Sequence, residues 1–187
     1  MQEQILPTTL THTIPVIAVG LGLGKDYISK RLIFTGAFIA NIPDLDLIAP
    51  RFYDFAFDSI YGHRGFSHSI IFAIISSFIF SFFFIKSGFK KAFLFLTFCT
   101  LSHGVLDSFT QGGLGIPFIW PLTDIRYYSF AQPIINSGVS FRTLYTTTKA
   151  FPIYWSEFIW VWVPFGLIGV ALRFNMFNHI KNKFNFK

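Results

Sequence analysis

Cysteine and charge are what this 187-residue chain has least of. A single cysteine, Cys99, excludes an internal disulfide and with it a disulfide-stapled secreted module. Charged residues make up 13% of the chain, against roughly a quarter in ordinary soluble proteins, which argues against a water-soluble globule. What fills the space is apolar: 52% hydrophobic residues, 27 phenylalanines and a mean hydropathy of +0.54. That composition also excludes a disordered tail and a collagen-like fibre. A formal charge of +6 raises the question of nucleic acid. The basic residues, however, sit between apolar stretches and form no single patch, so no nucleic-acid partner is expected and membrane topology is the first use of the charge.

The sequence predicts an all-α integral membrane protein in one domain, a bundle of about five transmembrane helices. Stretches with little formal charge fall at about 8–24, 32–48, 67–85, 91–107 and 156–173, near the ~20 residues a spanning helix needs. The second is the least regular, because twelve residues between Arg31 and Asp44 are too few to cross about 30 Å of hydrocarbon. Pro164 lies within the fifth, where a kink is expected. Lys25, Lys30, Arg31, Lys86, Lys90, Lys91, Arg173 and the basic tail at about 174–187 fall on one side of an alternating bundle. The excess of Lys and Arg assigns that side to the cytoplasm, the N-terminus to the outside and the protein to the inner membrane. Trp155, Trp160 and Trp162 suit an interfacial belt or simple packing. Glu3 without a basic neighbour before helix 1 reads as an uncleaved anchor. The segment at about 108–155, rich in Gly and Pro, reads as an outward cap with a short hairpin or interfacial helix.

This topology gathers ionisable side chains on the outer side. His12 opens helix 1, Asp44 and Asp46 end helix 2, His63 and His68 precede and open helix 3, and His103 and Asp107 close helix 4. Charged groups at membrane depth are costly and mark function by default. In HGVLD, residues four apart share a helix face, so His103 and Asp107 reach one ion. In PDLD, an extended or broken turn lets Asp44 and Asp46 face one cavity, and in HRGFSH, Gly65 permits a tight turn that brings His63 to His68. Four imidazoles and three carboxylates exceed one tetrahedral zinc and suit two ions with bridging carboxylates. One histidine or one His–Asp pair is ordinarily structural; seven such groups converging are not so readily explained. Imidazole favours zinc over magnesium, with manganese and iron as alternatives. Arg64 and Arg126 offer guanidinium groups to a phosphate, or pair with a nearby carboxylate such as Asp124. Ser67, Ser69 and Thr110 read as caps or supporting donors, Cys99 as packing, and His179 has no role.

Thr11–His12, IPDLD (Ile42 to Asp46), HRGFSHS (His63 to Ser69), HGVLDSFTQGG (His103 to Gly113) and WPL...RYY (Trp120 to Tyr128) together resemble the YdjM family over about residues 8–130. The resemblance implies an inner-membrane-associated, metal-dependent hydrolase with a suggested relation to zinc-dependent phospholipase C. It implies the same seven metal-site residues, and it brings Arg64 and Arg126 within its motifs. The expected activity is hydrolysis of a phosphoester in a membrane lipid or lipid-linked substrate by a metal-activated water on the extracytoplasmic side. Asp46 or another of the three aspartates would bridge the ions or take the proton, with Arg64 stabilising negative charge. The competing expectation is a metal-binding or transport protein without turnover.

Overall fold

The computed structural model describes residues 9–47, 56–136 and 150–185, with side chains described from Leu10 to Phe177 within those ranges. Arg51, Arg142, Lys149, His179 and the tail lysines lie outside the described side chains, as do the sequence before Thr9 and the cap at 137–149. The described residues form an all-helical bundle, with two isolated β-bridges and no strand.

Helix α1 is Thr9–Leu23 and α2 is Lys30–Ile39. Ser29 caps α2 by accepting from the Leu32 N–H at 3.2 Å. α2 stops well short of residue 48, because Pro43 has no N–H to donate and biases Ile42 away from the helical region; a tight 3₁₀ turn, Pro43–Leu47, follows. At ten residues, about 15 Å long, α2 does not cross the hydrocarbon by itself. A second 3₁₀ turn, Phe66–His68, leads into α3, Ile70–Ser81, which Ser69 caps through the Phe72 N–H. A short Phe82–Phe84 turn joins α3 to α4, Ile85–Ser108, whose regular path is broken at Gly88. The two helices fold back on each other, with Phe78 against Phe89 and Phe93 near the turn.

The last rod begins earlier and runs further than 156–173: α5, Ala150–Glu157, passes through a widened π-type turn, Phe158–Trp162, into α6, Val163–Asn185. The widened turn accommodates Pro164, which lacks an amide N–H and would otherwise crowd the carbonyl one turn back. α1 crosses α6 closely, and a Cβ on Gly22 would stand 2.6 Å from the Gly169 carbonyl oxygen. Small residues at such crossings let backbones approach where lipid removes the usual hydrophobic drive.

Ile70–Ser108, folded at its turn, and Ala150–Phe177 are apolar and long enough to cross a membrane; Leu10–Leu23 is a shorter apolar helix. Phe34, Ile79, Phe83, Leu94, Leu167 and Phe174 are exposed, an outer surface that suits lipid better than water. Inside, Val16, Leu32, Ile39, Leu96 and Cys99 pack α1, α2 and α4 together. In the cap, Ile116 and Tyr127 exchange two 2.9 Å backbone hydrogen bonds, a minimal antiparallel pair. The cap is tied to the bundle by the Ile70 N–H on the Phe118 carbonyl and the Ser129 N–H on the Ser108 carbonyl.

Candidate metal centre

The five groups of the centre reach it from four elements. α1 carries His12, the 3₁₀ turn after α2 carries Asp44, the turn before α3 carries His68, and α4 carries His103 and Asp107. His12, His68, His103 and Asp107 are buried, and Asp44 is nearly so.

Single atoms of Asp44, His68, His103 and Asp107 all lie within 4.8 Å of one another. His103 Nε2 is 3.1 Å from His68 Nε2, 3.2 Å from Asp44 Oδ1 and 3.6 Å from Asp107 Oδ2. His68 Nε2 is 3.2 Å from Asp107 Oδ2 and 4.0 Å from Asp44 Oδ1. A tetrahedral ion with bonds of about 2.0–2.1 Å has ligand-to-ligand edges of roughly 3.3 Å. The four atoms therefore frame a volume of the right size for one divalent ion. None of the four carboxylate oxygens of Asp44 and Asp107 accepts a well-formed hydrogen bond. Arg64 Nε, 3.2 Å from Asp107 Oδ2, offsets part of this, but buried oxygens without well-formed hydrogen bonds are expensive, and two carboxylates this close repel. A cation between them resolves both costs, so the donor set fits a metal.

His12 stands beside this frame. Its ring stacks on His103 with centroids 3.9 Å apart, and its Nε2 is 3.6 Å from Asp107 Oδ1. Neither of its ring nitrogens has a hydrogen-bond partner.

Asp46 and His63 lie one layer out. Asp46 Oδ1 meets His63 Nδ1 at 2.9 Å, while its Oδ2 accepts from Ser67 Oγ at 2.7 Å and the Arg64 backbone N–H at 3.0 Å. The same oxygen is 3.3 Å from His68 Nδ1, the nitrogen turned away from the frame, and Ser67 Oγ lies between the two side chains at 3.0 Å from that nitrogen. A carboxylate behind a ligating imidazole fixes its tautomer and orientation, and that is the position Asp46 occupies.

Arg64 is buried and takes a left-handed backbone angle, φ 55°. Non-glycine residues hold that region only where the surroundings enforce it. Here the angle turns the side chain inward: Nε is 3.2 Å from Asp107 Oδ2, and the guanidinium lies over Gly113, where any Cβ would collide with it. Arg64 Nη1 has no hydrogen-bond acceptor. Gly65 follows, its backbone pressed against the Ile60 carbonyl.

Arg126 is placed elsewhere. Its Nη1 donates to the Arg64 carbonyl at 2.7 Å and the Gly115 carbonyl at 3.2 Å, and its Nη2 donates to the Asp58 and Ser59 carbonyls, each at 3.0 Å. It thus fastens the loop before His63 to the cap. Half-burial lowers its pKa from the ordinary guanidinium value. Thr110 Oγ1 bonds back to the Leu106 carbonyl, within its own turn.

Sequence reasoning passed over Glu157. It is buried at the end of α5, and its Oε2 accepts from Thr11 Oγ1 at 2.6 Å. Trp162 Nε1 donates to the same Thr11 hydroxyl at 3.2 Å, so Trp162 faces inward while Trp155 and Trp160 are exposed. The signal was available: Glu157 is an acid inside an otherwise apolar run, and Thr11 precedes His12.

The geometry can be set beside known proteins. A family model described as YdjM inner membrane protein matches residues 8–180. The chain is similar to "Inner membrane protein YbcI" of Escherichia coli (strain K12), with 37% identity over 162 residues, covering 85% of this chain and 92% of that protein. No solved structure matches the chain.

Proposed function

The chain belongs to the YdjM family of inner membrane proteins, and from that premise we propose that it is a membrane-embedded, metal-dependent hydrolase acting on a phosphoester of a lipid or lipid-linked substrate. Asp44, His68, His103 and Asp107 would hold a divalent ion, with zinc preferred for a mixed imidazole and carboxylate set. Three carboxylates, Asp44, Asp46 and Asp107, balance one dication and the Arg64 guanidinium, which supports one ion in the four-atom frame. His12 Nε2 and Asp107 Oδ1 offer the start of a second position. When bound, a divalent ion polarises a phosphoryl oxygen and brings the pKa of a water toward neutrality.

The protein's own groups do the rest. The Ser67 hydroxyl at 3.0 Å and Asp46 at 3.3 Å together orient His68 through Nδ1, and Ser67 and the Arg64 N–H hold Asp46 in place. Asp107 holds Arg64 beside the frame through Nε. The observation that carries a phosphoester reading is the acceptor-free Arg64 Nη1 in a buried site. A phosphoryl oxygen supplies the missing acceptor, and that contact strengthens as negative charge develops in the transition state. The five helical rods are read as embedded in the bilayer, with the N-terminus and the centre on the extracytoplasmic side and the lysine-bearing turns in the cytoplasm. The centre then lies near headgroup depth, within reach of a lipid phosphate.

A second reading has its own support. Four ligand atoms already close a tetrahedron, the arrangement of structural zinc sites, so a metal held without turnover is the alternative. The test is metal analysis of the purified protein, followed by assays on phosphodiester and phospholipid substrates with His68→Ala, Asp107→Ala and Arg64→Gln variants. The hydrolase reading expects bound metal and turnover in the native protein, and loss of both in the first two variants. It expects retained metal and strongly lowered turnover in Arg64→Gln. Bound metal with no ligand-dependent turnover on any substrate favours the second reading.

A further inference from the structure

The end of the bundle away from the metal centre has a cavity of its own. About 730 Å³ opens between α1 and α4, walled by Leu23, Ile28, Leu94 and Phe98, with Lys90 and Lys91 in its lining. That volume lies within the range of small-molecule sites. Lys90, at the mouth, is thirteen residues and about 20 Å along α4 from His103, and Phe98, deepest toward the centre on that helix, is five residues and about 7.5 Å from it; none of the centre's groups lines the cavity.

Two features define what fits. The walls are hydrocarbon, which a free anion does not need and an acyl chain does. Both lysines are exposed, and no ion pair among the described residues involves them. In the turns at this end, 24–29 and 82–89, Asp26 is the one acidic residue, set against Lys25 and Lys86. Basic pockets between membrane helices collect anionic headgroups. Charge at the edge and hydrocarbon within call for one amphiphile carrying both.

We infer that this cavity binds an anionic phospholipid, its headgroup phosphate on Lys90 and Lys91 and an acyl chain along Leu23, Ile28, Leu94 and Phe98. The inference does not depend on the hydrolase reading, and its test reads binding alone. Native mass spectrometry of the full chain in detergent would compare retained dimyristoyl phosphatidylglycerol with dimyristoyl phosphatidylcholine. Attraction of each lysine to an anionic headgroup sets the expected preference at roughly 30-fold. In a Lys90→Gln, Lys91→Gln double variant the preference falls to about threefold or less, while phosphatidylcholine retention is unchanged. Leu94 is 58% exposed, so Leu94→Trp is tolerated and narrows the cavity, weakening both lipids about tenfold. Glycerol phosphate, the headgroup without chains, does not displace the lipid at millimolar concentration. Circular dichroism matching the native chain shows that the variants are folded. Equal retention of the two lipids by the native protein, a preference that survives the lysine changes, or binding untouched by Leu94→Trp overturns the inference.

Discussion

Asp46→Asn distinguishes a ligand from a residue that positions one. The substitution keeps the size of the side chain and one oxygen. That oxygen still accepts from Ser67 Oγ and the Arg64 N–H, now 2.7 and 3.0 Å away, while the new amide nitrogen faces His63, whose Nδ1 can accept in its other tautomer. The turn before α3 is therefore expected to stay folded. What disappears is the negative charge 3.3 Å behind His68 Nδ1. Removing such a partner costs about 10- to 100-fold in metal affinity, or roughly 1.4–2.8 kcal/mol. A competitive titration of detergent-solubilised protein against a chromophoric zinc chelator measures it. His68→Ala, which removes a frame atom outright, should weaken binding further, and circular dichroism should be unchanged in Asp46→Asn. Affinity within twofold of the native protein would refute the positioning role. A loss as deep as that of His68→Ala would make Asp46 a ligand in its own right.

Arg64→Gln is expected to keep metal content within twofold and to lower phosphoester turnover by about 10²- to 10³-fold, the usual cost of removing a donor aimed at developing charge; parallel metal analysis and initial rates check it. Stripping the ion with a chelator should lower the thermal midpoint. At an ion concentration of about 100 times its dissociation constant the stabilisation is about 2.7 kcal/mol, or roughly 5–10 °C for a chain of this length. A midpoint unmoved by chelation and metal return would contradict a folded-state site. Gly22→Leu should cost about 1–3 kcal/mol, because its Cβ would sit 2.6 Å from the Gly169 carbonyl. Gly166→Ala should cost nothing measurable by the same thermal scan, since nothing lies within 4 Å of a Cβ there.

The gathering of His12, Asp44, His68, His103 and Asp107 was legible because it needs only successive helices that double back on one another, which the apolar runs and the breaks between them suggest. The His103–Asp107 pair is the clearest instance, since a four-residue step fixes a shared helix face. The division between frame and outer layer was not legible. In PDLD the two carboxylates share a side only if the backbone is extended; the 3₁₀ turn at Pro43–Leu47 has three residues per turn and sets residues two apart about 240° from each other. Asp44 accordingly enters the frame and Asp46 faces His63 and Ser67. The partners of Arg126 were not legible for a different reason. Its partners are carbonyls of residues 58, 59, 64 and 115, up to 68 residues away along the chain, and backbone acceptors leave no mark in a sequence. The last rod was read as 156–173, closing at the charge of Arg173, whereas the helical path begins at Ala150 and α6 continues past Arg173 to Asn185. Glu157 escaped notice because the reading followed the histidines and aspartates.

The most direct measurement is an anomalous-scattering map of zinc-loaded protein, recorded on both sides of the zinc edge. The account requires a peak about 2.0–2.2 Å from His68 Nε2, His103 Nε2 and one oxygen each of Asp44 and Asp107, with Asp46 outside bonding distance and in contact with His68 Nδ1. A map from fully loaded protein with no peak among those four atoms, or with its peak bonded to Asp46 and His63 instead, would contradict it.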